Sequence, residues 1–326
     1  MLSEEIKKFT PVVEEVIFDS LSRWQHGEFK DSTEYQIKTG GKRIRPFILW
    51  KFFKSLSGKE IEKALSAAAA LEIFHNYSLI IDDIIDRGEV RRSLPTSRKK
   101  YGEKTSLCIS SFYFSTIIDL LKDVDPSVSE LMARKMKEVM IGELVDVLQE
   151  RGKKVEPFLK KRSFDEIEMK DYFMMVEKKT AALFQAAAGS GLLLAKGKDL
   201  ETALDFGKNL GISYQIQDDI LDIFGDPEQF GKEKGKDIKE GKGGNIVLLL
   251  AAREDKSIAE KLEKGIDEKD LNEVILKIEE TEAKKRAEKL SKKYSESALD
   301  NLSFLPAGND KEDLQELVQI IAKRKK

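Results

Sequence analysis

The feature that most constrains this chain is an aspartate pattern that occurs twice, each time inside an otherwise apolar segment. Ser78 to Asp86 reads SLIIDDIID and Tyr214 to Asp222 reads YQIQDDILD; both place two aspartates, an isoleucine, one more apolar residue and a third aspartate in the same order. On a helix Asp82 and Asp86 stand at i and i+4 and share a face, as do Asp218 and Asp222. His75 and Ser78 continue the first stripe, two turns and one turn before Asp82. Asp83 and Asp219 complete the two sets. Carboxylates crowded into apolar surroundings repel one another and lose solvation, so they want cations. Their oxygens suit hard divalent ions, most simply Mg2+, which keeps room for water or phosphate. A single DDxxD could be a helix cap or a solvated patch. Two copies embedded in apolar helices point to a polyanion that arrives with its metals, and a diphosphate fits.

Cationic segments flank both copies. Tyr35 to Pro46, YQIKTGGKRIRP, breaks at Gly40-Gly41 and then crowds Lys42, Arg43 and Arg45 ahead of an apolar helix in whose first turn Pro46 is welcome. A basic helix start is an anion site or simply a basic turn. His75, on the stripe of Asp82, is placed to donate to a phosphate, against the plain reading of a satisfied half-buried histidine. Arg87 to Pro95 is expected to be a loop, in which Arg91 and Arg92 of an extended backbone point to opposite sides and grip different anions, or form a solvated pair. A helix from Phe164 to Ala195 is expected, with a capping signal at Ser163 and Glu166. It carries Lys178, Lys179 and Thr180 just before AALFQAAAGSG, where they hold a diphosphate or sit on an exposed turn. Residues 228 to 245, EQFGKEKGKDIKEGKGGN, interleave glycines with Lys232, Lys234, Lys236, Lys239 and Lys242. Composition leaves open a lid over a bound anion or a disordered charged loop.

The remainder reads as helix: residues 1 to 25, with Ile6, Phe9, Val13, Val16 and Ile17 on one side, then Leu107 to Leu121, Val128 to Arg151, Leu200 to Phe224 and Ile246 to Ala252. Segments alternating as strands are missing from the pattern, so the fold class expected is all-α, a single domain over residues 1–326. Charged residues are 36 % of the chain, but the net charge of −2 gives no bulk attraction to nucleic acid. The one cysteine, Cys108, excludes an internal disulfide, fits a reducing cytoplasm and is expected as small core filling. The acidic, amphipathic N-terminus is unlike a signal peptide, and with no charge-free apolar run of about 18 residues no membrane span is expected.

From GGKRIRP at 40–46, through HNYSLIIDDIID and RGEVRRSLPT, to KKTAALF at 178–184, YQIQDDILD and GKEKGKDIKEGK at 231–242, the chain resembles the trans-isoprenyl diphosphate synthases of the polyprenyl synthetase family. The motifs fall in matching order over roughly two-thirds of the chain. The resemblance implies a large helical bundle around a deep central cavity, normally a homodimer. It implies isopentenyl diphosphate held by Lys42, Arg45, His75 and Arg92. It implies an allylic diphosphate held by three Mg2+ ions (Mn2+ as the alternative) and by Arg91, Lys179, Thr180, Gln215, Lys232 and Lys242. Asp82 and Asp86 would ligate two ions, and Asp218 with Asp222 the third, while Asp83 and Asp219 orient water and lysines around them. In the family, bulky residues four and five positions before the first aspartate block the growing tail; here these are Ser78 and Tyr77. That pattern resembles the archaeal-type geranylgeranyl diphosphate synthases and leads to an expected C20 product. The chain departs from the family at Ile81, where most members have histidine, and at Gly243-Gly244-Asn245-Ile246, where most have Thr and Pro.

Other readings stay open on the sequence: a C15 or C25 and longer product, a non-catalytic subunit of a heteromeric synthase, a terpene cyclase, or a helical interaction protein. Intact aspartate motifs tell against the second, GGKRIRP against the third, and the fourth predicts no Mg2+-dependent diphosphate binding.

Overall fold

The structure, a computed structural model, describes residues 2–23, 26–148, 167–225, 235–240, 244–266 and 268–323. The chain is all-α: among these residues the one sheet is a hairpin of two-residue strands. It divides into two compact units, neither continuous in sequence. One comprises Met1–Lys137, Leu183–Gly207 and Leu299–Leu317, the other Glu138–Ala182, Lys208–Ala298 and Val318–Lys326.

In the first unit α4 (Ile61–Ile85) is the central rod, packed on by α1 (Leu2–Ser22), α2 (Lys30–Lys38), α3 (Ile44–Ser55), α5 (Ser97–Tyr101) and α6 (Glu103–Leu121). Ala67 to Ala70 are fully buried, and such short side chains let neighbouring helices approach closely. By length and hydropathy α4 would pass for a membrane-crossing helix, but 61 % of its most apolar window is buried inside the protein, as befits a core helix. On α1, Phe9, Val13 and Ile17 are buried as the periodicity predicts, although the helix stops at Ser22.

The second unit takes the C-terminal half of α7 (Pro126–Leu148), α8 (Met169–Val176), a π-helical turn (Glu177–Ala181) and most of α10 (Leu200–Phe224), with α9 (Ala182–Leu194) lying almost wholly in the first unit. Then come α11 (Lys236–Glu240), α12 (Ile246–Glu254), α13 (Lys256–Lys264), α14 (Glu268–Glu279) and most of α15 (Ala283–Asn301), and α16 (Asn309–Ala322) ends the chain's described helices. Ile246 to Ala252, buried on all sides, fills the core of the second unit together with Tyr172, Val176, Ile216 and Ile223.

Three expectations are corrected. Arg87 to Pro95 is not all loop: β1 (Val90–Arg91) pairs antiparallel with β2 (Leu94–Pro95). Arg92 and Ser93, at φ 53° and 62°, supply the two left-handed residues that a tight hairpin requires. The helix expected over 164–195 is interrupted by the π turn at Glu177–Ala181, an inserted residue that 3.6-residue periodicity does not reveal. Cys108 is exposed rather than core, because α6 buries Ser106, Ile109, Ser110, Tyr113 and Ile117 on another face. The capping signal at Ser163 and Glu166 lies outside the described residues; the N-cap of α8 is Glu168, whose backbone N–H donates to Asp171 Oδ2 at 3.0 Å.

Candidate active site

In the first unit, the last turns of α4 carry Asp82 and Asp86 half-buried, with Asp83 buried at 3 % exposure. The hairpin delivers Arg91 to them. Its Nη2 donates to Asp82 Oδ2 at 2.7 Å and to Asp83 Oδ1 at 2.9 Å, and its Nε donates to both Asp83 oxygens at 3.0 and 3.1 Å. Burial works against the guanidinium charge, but the two carboxylates outweigh it and raise the Arg91 pKa. Arg91 thus spans the first aspartate pair, while Asp86 follows at the helix end.

Arg92, one residue on, turns the other way and donates to the Gly40 carbonyl. That puts it with GGKRIRP. Arg45, in the first turn of α3, has its Nη1 3.3 Å from His75 Nε2, and its guanidinium lies over the Phe184 ring at 4.7 Å. Lys42 is exposed at the turn before α3. Burial first, then the charges of Arg45, Arg92, Arg91 and Arg43, hold the His75 pKa well below its usual value, so the imidazole is neutral. Four arginines around one neutral histidine are the electrostatic signature of a site that wants an anion. Above this stripe, Tyr77 stacks on Phe74 at 5.4 Å and meets the Phe114 ring of α6 at 6.1 Å, an aromatic plug one turn and more before Asp82. Ser78 donates to the His75 carbonyl.

In the second unit, α10 carries Asp218 half-buried and Asp219 and Asp222 buried. Asp219 accepts from Tyr172 Oη at 2.8 Å, Gln215 Nε2 at 2.9 Å and the Ile246 N–H at 2.9 Å. Burial and the nearby Asp237 push its carboxyl up, and those three donors oppose the shift. Gln215 in turn accepts from Thr180 Oγ1 at 2.7 Å, so Thr180, Gln215, Asp219 and Tyr172 form one chain of hydrogen bonds. Asp222 Oδ2 accepts from the Asp237 N–H at 3.2 Å and its carbonyl from the Gly235 N–H at 2.7 Å, which fixes α11 to the second aspartate motif. Lys179, in the π turn, pairs with Glu143 at 2.8 Å and Asp146 at 2.6 Å. Lys232 and Lys242 lie outside the described residues.

Several of these partners are not marked by the motifs. Tyr172, Glu143 and Asp146 carry no local signal. Asn245 does: it precedes the apolar run IVLLLA, the position of an N-cap. Its Oδ1 accepts from the Val247 and Leu248 N–H groups and its Nδ2 donates to Asp237 at 3.0 Å. The segment that departs from the family pattern is therefore anchored to the motif it follows. The donor set fits hard divalent ions, since the aspartates offer only oxygen. Among the described residues no three acidic, histidine or cysteine side chains form a metal cluster by themselves. Ligand oxygens and water would have to complete such a shell.

The polyprenyl synthetase family profile matches residues 26–281 of this chain. The chain belongs to the polyprenyl synthetase family. It is accordingly an enzyme of the isoprenyl diphosphate synthase type. It is 32 % identical to a geranylgeranyl diphosphate synthase of Saccharolobus solfataricus, over 98 % of this chain and 97 % of the relative. It is 33 % identical to a geranylfarnesyl diphosphate synthase of Aeropyrum pernix, over 89 % and 92 %. A polyprenyl synthase from Caulobacter crescentus, solved with calcium and isoprenyl diphosphate, superposes with a TM-score of 0.89 at 26 % identity, covering 100 % of this synthase and 97 % of the other chain.

Proposed function

We propose that this synthase condenses isopentenyl diphosphate with allylic diphosphates in a Mg2+-dependent reaction and releases mainly the C20 product, geranylgeranyl diphosphate. The arginine cluster around neutral His75 carries this reading. A prenyl transfer needs two diphosphate sites, and the GGKRIRP end of this cluster, with Arg45 and Arg92, supplies an anion site distinct from the aspartates that Arg91 engages. Lys42, Arg45, His75 and Arg92 hold the diphosphate of isopentenyl diphosphate. Asp82 and Asp86 hold two Mg2+ ions. Asp218 holds the third; Asp222, at 6 % exposure and engaged by α11, is the less open of the pair. Bound divalent ions neutralise the departing diphosphate as Lewis acids.

The protein's own groups do the rest. Arg91, Lys179, Thr180, Gln215, Lys232 and Lys242 bind the allylic diphosphate and stabilise the charge that it gains as it leaves. The allylic C–O bond breaks with its electron pair on the diphosphate. The double bond of isopentenyl diphosphate attacks the allylic cation, forming one C–C bond, and a proton passes to the released diphosphate. Apolar walls keep water from the cation, and no nucleophilic side chain is needed.

Tyr77, backed by Phe74 and Phe114, is the floor that stops the tail at C20. A relative named geranylfarnesyl diphosphate synthase is as similar as one named geranylgeranyl diphosphate synthase, so the floor rather than overall likeness supports the product length. We read residues 1–326 as one cytoplasmic synthase domain that works as a homodimer. The exposed stripe of Leu107, Phe114 and Ile118 on α6 supports a second copy as its cover.

Titration with a non-hydrolysable allylic diphosphate tests the metal claim. Binding that is tight with Mg2+ and lost with chelator, and lost again in Asp82→Ala, is expected. Metal-independent binding would overturn it.

A further inference from the structure

Arg43 stands between two residues assigned to the isopentenyl diphosphate site, Lys42 and Arg45, yet it faces the other way. It is 2 % exposed, and its backbone sits at φ 49°, in the left-handed region that a non-glycine residue enters only when its surroundings hold it there. The guanidinium supplies that hold. Nε donates to Glu14 Oε1 at 2.9 Å, and Nη2 meets the same oxygen at 2.7 Å. Nη1 donates to Glu72 Oε1 at 2.9 Å and to the Gly40 carbonyl at 3.2 Å, and Nη2 donates to the Ile37 carbonyl at 2.8 Å. One side chain thereby ties the GGKRIRP turn to α1, to the end of α2 and to α4.

The α4 end of this lock leads to the site. Glu72 is itself 2 % exposed, and its Oε1 also accepts from Asn76 Nδ2 at 3.1 Å, next to His75 in the chain. The Gly40 carbonyl that takes Arg43 also takes Arg92. A Cβ on Gly41, whose φ of 143° itself favours glycine, would lie 2.9 Å from Arg43 Nη1 and 3.1 Å from Arg92 Nη2, so the turn closes on both arginines. Glu14 and Glu72 balance the buried charge of Arg43, whose field is the last of the four arginine contributions at His75, so its main effect on the site is geometric.

We propose that Arg43, locked to Glu14 and Glu72, is the positioning residue that sets the strained turn presenting Lys42, Arg45 and Arg92 to isopentenyl diphosphate. The inference rests on the assignment of that cluster to the isopentenyl site. Arg43 thereby governs affinity for the homoallylic substrate and leaves the allylic one alone. Lysine keeps the charge but loses the fork that reaches two carboxylates and two carbonyls.

The test uses the full-length wild type, Arg43→Lys and Glu14→Gln, each assayed well below its own melting temperature. Isopentenyl diphosphate binding is read by calorimetry, and KM for each substrate by steady-state kinetics. Arg43→Lys is expected to weaken isopentenyl diphosphate about tenfold or more, since displacements near 1 Å cost up to about a hundredfold. KM for the allylic diphosphate should stay within about twofold. Glu14→Gln, at a half-buried position, should shift the same parameter in the same direction by less, and it carries the test if Arg43→Lys does not fold. A merely structural role predicts a lower melting temperature and fewer active molecules with both affinities unchanged; that result overturns the proposal. A wild type that does not bind isopentenyl diphosphate refutes the site assignment itself, an outcome distinct from variants that bind as well as the wild type.

Discussion

Alanine at position 142 would place a Cβ 2.3 Å from the backbone nitrogen of Lys179 and 2.7 Å from its Cα. Both obstacles are backbone, so no side-chain rotation relieves them. Glycine in the middle of α7 is what lets that helix lie against the π turn. Ordinary contact is restored only if the two part by about 1 Å, and overpacking of this kind costs about 1–3 kcal/mol. Replacing a mid-helix glycine by alanine returns up to about 1 kcal/mol of helix propensity. With a contact this short the clash wins, and Gly142→Ala should lose about 1–2 kcal/mol in urea denaturation. The same displacement moves the Lys179 ammonium away from Glu143 and Asp146, now at 2.8 and 2.6 Å. A shift near 1 Å in a group that holds the leaving diphosphate lowers kcat by about tenfold to a hundredfold. KM for isopentenyl diphosphate should stay put, since the residues assigned to it lie in the other unit. Wild-type stability and kcat in Gly142→Ala would refute the packing argument. Lost stability with an unchanged kcat would remove Lys179 from the reaction.

Tyr77→Ala opens the plug beneath Phe74 and Phe114 and should lengthen the main product beyond C20 when the alcohols are sized; an unchanged length would show that the floor lies elsewhere. Asn245→Ala removes the cap of α12 and the tie to Asp237, and should cost about 1–2 kcal/mol in chemical denaturation; a neutral result would show that the cap is replaced. His75 is held neutral in the folded state, its pKa well below the usual 6.5, while the unfolded chain protonates it at that value. Its contribution is therefore whole above pH 6.5 and declines as pH falls toward the lower folded pKa, by up to about 1.4 kcal/mol per unit. His75→Gln should lose less stability than wild type between pH 7.5 and 5.5; equal losses would contradict the neutral assignment.

How much was legible depended on contrast. Leu200 to Phe224 shows its limits in the sequence because the pattern is apolar with polar breaks, and the helix spans those residues. The stripe of His75, Ser78, Asp82 and Asp86 stood out because it crosses alanines and leucines. Cys108 misleads for the opposite reason. Helix α6 is apolar on its exposed face too, at Leu107, Phe114 and Ile118, so nothing marked which side is core. The π turn at Glu177–Ala181 is a one-residue insertion invisible to periodicity. Arg43 reads as one more surface cation in a basic run, because its partners Glu14 and Glu72 are 29 residues away on either side. A buried Glu72 in an alanine-rich helix was the one available hint that a cation was owed to it.

The most direct test of the account is a product assay. The purified protein is incubated with labelled isopentenyl diphosphate, Mg2+ and, separately, C5, C10 and C15 allylic primers, and the dephosphorylated alcohols are sized. Elongation that stops at C20 is the predicted result. Condensation running well past C20 would keep the reaction and contradict the Tyr77 floor. No condensation with any primer would contradict the central claim that this chain transfers prenyl groups.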